Sequence, residues 1–174
     1  MDFHLRGRQA IGISARLVAL CLGLLLAACG FHLRGQADLP FESVYVQSAG
    51  SSEFATELRR VFEGSKSILL TDAADHAEVV VKIVEEQQEQ KILSISQSGS
   101  VNEFRLVYRV AYRIMNSKME DMVAPGEISV QRDLTYDDTE TLGKESEVKL
   151  LFRDMRADAV QQLLRRMSVV TTRA

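Results

Sequence analysis

The chain has few of the residues from which enzymes commonly build reactive sites. Its 174 residues include two Cys, three His, two Pro and no Trp. No GxSxG, HExxH or P-loop sequence is present, so the usual nucleophile, zinc and phosphate-binding motifs are missing. The 21 basic and 24 acidic side chains leave a net charge of −3, which does not favour a general nucleic-acid binder. We therefore predict a protein that is not an enzyme and that needs no cofactor.

Residues 17–28 (LVALCLGLLLAA) form an uncharged apolar run near the N-terminus. The run has 12 residues, whereas a helix needs about 20 to span a bilayer. The segment before the run contains three basic residues and one acidic residue: Arg6, Arg8 and Arg16, and Asp2. A basic segment, a short apolar run and small residues before a cut are typical of a secretory signal peptide. A buried core helix is the alternative, but the small residues stand where a peptidase cuts, which favours the signal peptide.

The apolar run ends in Leu26-Ala27-Ala28-Cys29, which resembles a bacterial lipobox. In a lipobox the cysteine sulfur is linked to diacylglycerol, the chain is cut in front of the cysteine, and the new amino group is acylated. A thiol suits this chemistry because its thiolate is a strong nucleophile. Two or more acyl chains hold a protein stably on a membrane, where one chain binds only marginally. We therefore predict lipidation at Cys29.

Cleavage in front of Cys29 would leave an acidic mature chain. It removes three Arg and one Asp, so the 146 remaining residues carry 18 basic and 23 acidic side chains, a net of −5. Because Cys21 leaves with the signal peptide and Cys29 is alkylated, we expect neither a free thiol nor a disulfide. Gly30 follows the cysteine, where an Asp would retain a lipoprotein in the inner membrane, so we predict the outer membrane.

The rest of the chain has the periodicity of a two-layer α/β domain. Strand patterns cover residues 43–47, 77–84, 104–114 and 128–136, and helical spacing covers 53–64 and about six turns from 145 onward. The order β-α-β-β-β-α predicts a four-stranded mixed sheet with two helices packed on one face and a polar opposite face. We divide the chain into a signal peptide (1–28), a tether (29–40), a single α/β domain (41–170) and a short tail (171–174).

Alternating apolar and polar residues from Phe104 to Ile114 give the clearest strand pattern in the chain. The alternation predicts that Tyr108 and Val110 face the core and that Arg105, Arg109 and Arg113 face the other way. Two interpretations of the arginine row stay open. An evenly spaced guanidinium row can grip phosphates or carboxylates. Alternatively, the arginines pair across strands with acidic residues, for which Glu85, Glu127 and Asp133 are the candidates.

Two acidic segments are candidates for a metal site. Asp72, Asp75 and Glu78 surround His76, but a solvated loop between a helix and a strand is the simpler interpretation. Residues 137–140 contain three further acidic side chains without the regular spacing or the glycine of an EF-hand loop. We therefore predict no metal site.

Three segments carry a resemblance to a known family. They are CGFHLRG at residues 29–35, LGKESE at 142–147 and MRADAVQQLLRRM at 155–167. Together with the strand and helix order, they resemble the LPS-assembly lipoproteins of the LptE family, also called RlpB. The resemblance extends over nearly all of residues 29–168, although the middle of the chain matches in pattern only.

The resemblance implies a lipid-anchored protein at the periplasmic face of the outer membrane. Members of the family sit in the lumen of the LptD β-barrel as a plug, assist assembly of that barrel and bind lipopolysaccharide. A lumen is polar, which agrees with the charged faces predicted here. The alternative is another outer-membrane lipoprotein, such as a pilotin-like assembly factor that binds only protein. A periplasmic hydrolase using His76 is a third and weaker interpretation.

The resemblance also implies candidate lipopolysaccharide-binding residues. Lys144 matches a lysine that helps to bind the glycolipid in related proteins. Arg132 is a second candidate, because it interrupts the apolar series of its strand; the alternative is that it pairs with Asp137 or Asp138. Gln97 stands in the turn where the family has a further basic residue. Lys91 or Arg105 would then be the substitute cation.

Overall fold

The computed structural model describes residues 39–135 and 141–170, and all structural statements refer to these residues. The strands are β1 (Ser43–Ser48), β2 (Leu69–Leu70), β3 (Val79–Ile95), β4 (Val101–Met115) and β5 (Gly126–Thr135). The helices are α1 (Glu53–Glu63), α2 (Thr141–Met167) and a single 3-10 turn (Ala74–His76). The predicted signal peptide, Cys29, most of the tether, the acidic loop at 137–140 and the tail lie outside the described residues.

The sheet order is β2-β1-β3-β4-β5. The first three strands run parallel, and β3, β4 and β5 are antiparallel. The predicted two-layer α/β fold with a mixed sheet is therefore confirmed, but the sheet has five strands where four were predicted. The extra strand, β2, has only two residues, with Leu69 paired to Ser43 and Leu70 to Val44. Two residues are too few to show a strand period, which is why the sequence does not reveal it.

The long hairpin of β3 and β4 projects beyond the parallel part of the sheet. Strand β1 pairs with β3 only as far as Ile83, where the register shifts before Glu85. Beyond that point β4 is the only described strand that pairs with β3, which continues to Ile95. A tight turn over residues 96–100 closes the hairpin, and Gly99 adopts a φ of +89°, which glycine accommodates without strain. We call residues 92–104 the hairpin tip.

The core lies between the sheet and the two helices. Tyr108 and Val110 on β4 are fully buried in it, as predicted. Other members are contributed by α1 (Phe54, Leu58, Phe62) and α2 (Met155, Ala159, Leu163, Met167). The opposite face, which we call the helix-free face, is mainly polar, but Ala77, Val80 and Met115 form a small buried cluster on it.

Helix boundaries follow local sequence signals. Ser52 caps α1, where its hydroxyl oxygen accepts a hydrogen bond from the Ala55 amide at 2.9 Å. Helix α2 begins at Thr141, four residues before the predicted start at 145. Gly143 lies in its first turn and has low helix propensity, so the sequence pattern conceals the beginning of this helix.

Candidate functional site

The arginine row on the helix-free face is a set of ion pairs. Arg105 donates two hydrogen bonds to Asp133, at 2.8 and 2.9 Å, which confirms one of the predicted pairs. Arg109 donates to Glu89 at 2.9 Å, and Arg113 donates from Nε to Asp121 at 2.9 Å. These two partners differ from the predicted glutamates.

The register explains this difference. Glu85 and Glu127 both lie opposite Ala111 on their respective strands, so neither is directly opposite an arginine. The register shift between Ile83 and Glu85 contributes to this placement. A bulge of this kind cannot be located from the alternation of one strand. Pairing with acidic residues is therefore the correct interpretation of the row: Arg105 and Arg109 pair across strands, and Arg113 pairs with Asp121 in the connection between β4 and β5.

Hydrogen bonds keep the carboxylates of this face ionised. The pKa of Asp133 lies below its ordinary value because Arg105 hydrogen-bonds to the carboxylate, and Arg113 lowers the pKa of Asp121 in the same way. The pKa of Glu89 is lowered first by a hydrogen bond from Lys91 and further by the charge of Arg109. Each guanidinium of the row already binds a carboxylate, so the row is poorly suited to bind phosphate.

Lys144 lies at the hairpin-tip end of the sheet. Strand β5 ends at Thr135, opposite Glu103 near the tip, and α2 begins six residues later. Lys144 is in the first turn of α2, and its Nζ is 2.9 Å from a carboxylate oxygen of Glu147. Its side chain is 19% exposed. The helix then runs back along the sheet, since Arg166 near its C-terminal end donates to the Glu127 carbonyl at 2.8 Å.

The hairpin tip exposes large aliphatic side chains that sequence reasoning did not single out. Ile92, Leu93 and Ile95 are 54%, 42% and 60% exposed. The sequence from Ile92 to Val101 contains no charged residue, and Gln97 is exposed in its turn. An uncharged ten-residue stretch around a Ser/Gly turn was the available signal for this surface.

Arg132 is engaged by α2. It lies opposite Leu106 in the register, which places it on the helix side of edge strand β5. There its guanidinium forms an ion pair with Asp158 of α2. The interruption of the apolar series therefore has a structural cause, which is the ion pair with Asp158; the acidic loop that follows β5 lies outside the described residues.

The two cations predicted to substitute for the basic residue missing at Gln97 lie side by side on the helix-free face. Lys91 and Arg105 are directly opposite each other on β3 and β4. Lys91 is 2.9 Å from Glu89, and Arg105 is held by Asp133. Both cations are near the hairpin tip; Arg105 has Asp133 as its carboxylate partner, and Lys91 shares Glu89 with Arg109.

Glu86 is the centre of a polar network that the sequence does not indicate. Its carboxylate accepts hydrogen bonds from the Ser52 hydroxyl at 2.6 Å, the Phe54 amide at 3.2 Å and the Tyr108 hydroxyl at 2.6 Å. Burial, and then the neighbouring Glu86, raise the pKa of Tyr108 above its ordinary value. The network ties the N-terminus of α1 to β3 and β4 where β1 ends, so it fixes the base of the hairpin.

His76 lies on an exposed turn. Its ring nitrogens are 3.6 Å from Asp72 and 3.9 Å from Asp75, and all three side chains are at least two-thirds exposed. In residues 39–135 and 141–170, no group of three or more His, Cys, Asp or Glu is placed to hold a metal ion. This arrangement offers no buried or activated group for chemistry.

A shallow cleft of about 400 Å³ lies beside β1 and β2, lined in part by Tyr45, Leu70 and Asp72. Arg59 lies in the same cleft, and its Nη2 donates to the Val46 carbonyl at 3.0 Å. The cation in this cleft is therefore used to hold α1 on β1. Neither described α-helix is long and apolar enough to cross a membrane.

The fold is a two-layer α/β domain whose helix-free face carries ion pairs and whose hairpin tip exposes aliphatic side chains. Comparison with known sequences gives the family. The lipopolysaccharide-assembly family LptE matches residues 41–167, and the chain belongs to this family.

Several relatives support the assignment over most of the chain. The LPS-assembly lipoprotein LptE of Photorhabdus laumondii is 28% identical over 162 residues, which is 89% of this chain and 87% of the relative. The LptE protein of Yersinia pestis is 27% identical over 161 residues, 89% of this chain and 77% of the relative.

Solved structures agree with the fold. The solution structure of lipoprotein B from Nitrosomonas europaea is 39% identical, with a TM-score of 0.69, over 80% of this chain and 90% of that chain. The crystal structure of rare lipoprotein B from Shewanella oneidensis is 25% identical, with a TM-score of 0.63. The match covers 72% of this chain and 93% of that chain. The predicted relationship to the LptE (RlpB) family is thus confirmed.

Proposed function

We propose that this protein is an outer-membrane lipoprotein that plugs the LptD barrel, helps to assemble it, and binds lipopolysaccharide for delivery to the outer leaflet. Family membership supports the role in lipopolysaccharide assembly, and the lipobox ending in Cys29 supports the anchor. One observation carries the binding proposal: Lys144 and the exposed aliphatic side chains of the hairpin tip lie at the same end of the domain.

Binding of lipopolysaccharide requires both a cation and an apolar surface. Its lipid A carries phosphates, which attract a cation, and acyl chains, which favour apolar surface. The mature chain has a net charge of −5, so its overall field repels the ligand and attraction must be local. Lys144 supplies that local charge, and Ile92, Leu93 and Ile95 supply the apolar surface.

The ion pair of Lys144 is compatible with this role. It joins residues three apart on one helix, and pairs at this spacing stabilise an isolated helix by only about 0.2–0.5 kcal/mol. A phosphate can therefore replace Glu147 as the partner of the ammonium group. Arg132, held by Asp158 on the same side of the sheet, is the second candidate.

The helix-free face is suited to a polar lumen. Its charges are present as ordered pairs, so the face is hydrophilic without a strong net charge. A wide barrel encloses a polar interior, and a plug with such a face can enter it without burying unpaired charge.

Detergent extraction and affinity purification of the tagged protein test the barrel partnership. We expect LptD to co-purify, identified by mass spectrometry and immunoblotting. The same purification from cells that carry the untagged protein is the control and should recover no LptD. Recovery of a different protein without LptD, together with no binding of lipopolysaccharide, would favour the pilotin-like alternative.

A further inference from the structure

The chain enters the described domain at one end of the sheet. Phe41 is buried in the core, and the Glu42 amide donates to the Glu78 carboxylate at 3.0 Å, so the chain is fixed there before β1 begins. The parallel strands start at this end, β4 finishes there, and α2 runs toward it from the hairpin tip. We call it the anchor end, because Cys29 lies ten residues before Leu39. Ten residues reach at most about 35 Å.

Four large apolar side chains are exposed at the anchor end. They are Leu69 (67%), Met119 (41%), Val123 (38%) and Val169 (79%). Leu69 begins β2 opposite the first residue of β1, Met119 and Val123 are in the connection between β4 and β5, and Val169 follows the end of α2. These separate segments place apolar groups at one end of the molecule, away from the hairpin tip.

Met119 adds an independent observation. Its φ is +65°, in the left-handed region that a side chain other than Gly, Asn or Asp adopts at a cost of about 1 kcal/mol or more. The turn holds it there, because the Asn116 side chain accepts hydrogen bonds from the amides of Lys118 and Glu120 at 2.9 and 3.0 Å. A strained backbone therefore presents a long thioether side chain to solvent, where a Gly or Asn would fit the turn with less strain.

We infer that, before the lipoprotein enters the barrel, the anchor end rests on the phospholipid surface to which the protein is tethered, with Met119, Val169, Leu69 and Val123 in the interfacial layer. This inference relies on the proposed lipid anchor at Cys29, since the anchor brings this end within reach of the bilayer. Basic and acidic side chains, including Lys66, Lys118, Glu63 and Glu120, are exposed around the four. The contact is consequently apolar, and it does not depend on anionic lipid.

Vesicle partitioning of the mature chain without acyl groups tests this surface alone. The protein is residues 29–174 with Cys29→Ser, mixed with phosphatidylethanolamine/phosphatidylcholine vesicles and separated by flotation. We expect measurable partitioning that persists in 0.5 M salt. A Met119→Ser/Val169→Ser double variant should partition roughly tenfold more weakly, because two apolar side chains no longer leave water.

The matched control is Val84→Ser/Leu150→Ser, which removes two aliphatic side chains, 51% and 47% exposed, from β3 and α2 outside both the anchor end and the hairpin tip. It should partition like the parent. Equal losses in both double variants, loss of binding in high salt, or no binding by the parent would overturn the inference. Val169→Ser alone, beyond the last turn of α2, repeats the test if the first double variant melts early. Acylation of Cys29 is measured separately by mass spectrometry of the full-length product, so failure of the anchor and failure of this surface are distinguishable.

Discussion

Replacing Val110 by Asp is the sharpest test of the fold. Val110 is fully buried on the helix side of β4, between Glu86 on β3 and Ile128 on β5. The change removes an apolar side chain whose burial stabilises the fold by about 1.5–3 kcal/mol. It also buries a carboxylate without a cation, at a cost of several kcal/mol, and places it opposite Glu86.

The combined loss is comparable to the whole stability of a typical domain, about 5–15 kcal/mol. We therefore expect Val110→Asp to be unfolded or to lose its cooperative transition in a circular-dichroism melt. Ser129→Asp is the matched control, because Ser129 is exposed on the helix-free face opposite Arg109 and accepts the same new charge. A Val110→Asp protein that melts like the wild type would mean that the strand register is wrong by one residue.

Three further predictions concern the ion pairs, a close contact and the anchor. Folding lowers the pKa of Asp121 and Asp133 below 3.8, so their contribution to stability is present above that pH and is lost as the pH falls through the folded pKa values. Urea denaturation should show that Asp121→Asn/Asp133→Asn is less stable than the wild type at pH 6 and that this difference is smaller at pH 2.5; an equal difference at both would refute this. Gly126→Ala should lower the free energy of unfolding by about 1–3 kcal/mol, because a β-carbon there would lie 2.6 Å from the Tyr112 hydroxyl oxygen. A thermal melt measures this loss, and an unchanged melting temperature would contradict the close packing of Gly126 on Tyr112. Mass spectrometry of the mature N-terminus should find Cys29 triacylated, and a free thiol would exclude the anchor.

The sequence was most informative where one strand has two different environments. Strand β4 lies between two neighbours, with helices on one face and ion pairs on the other, so buried and partly exposed residues alternate from Tyr108 to Ile114. That alternation predicted the burial of Tyr108 and Val110 and the outward direction of Arg105. The two-residue strand β2 has no room for such a pattern.

Interactions that depend on register or on distant partners were not predictable. Glu86 lies in a polar stretch that resembles a solvated strand, yet its carboxylate is held by Ser52, 34 residues earlier, and Tyr108, 22 residues later. Arg132 pairs with Asp158, which is 26 residues away on α2 and which no local pattern around β5 indicates. Ile92 and Ile95 are exposed because β1 ends at Ser48 and does not continue beside the hairpin. No local pattern near the hairpin indicates where β1 ends.

Lipopolysaccharide binding by Lys144→Glu, compared with Lys149→Glu, tests the central claim most directly. Both changes reverse one charge on α2, and the Lys149 side chain is exposed one helical turn further from the first turn. Circular-dichroism melts first establish that both variants fold like the wild type. We predict that Lys144→Glu binds purified lipopolysaccharide roughly tenfold more weakly or worse, while Lys149→Glu binds like the wild type and both still co-purify with the barrel. Wild-type binding by a well-folded Lys144→Glu protein, or an equal loss in the two variants, would contradict a glycolipid site at this end of the domain.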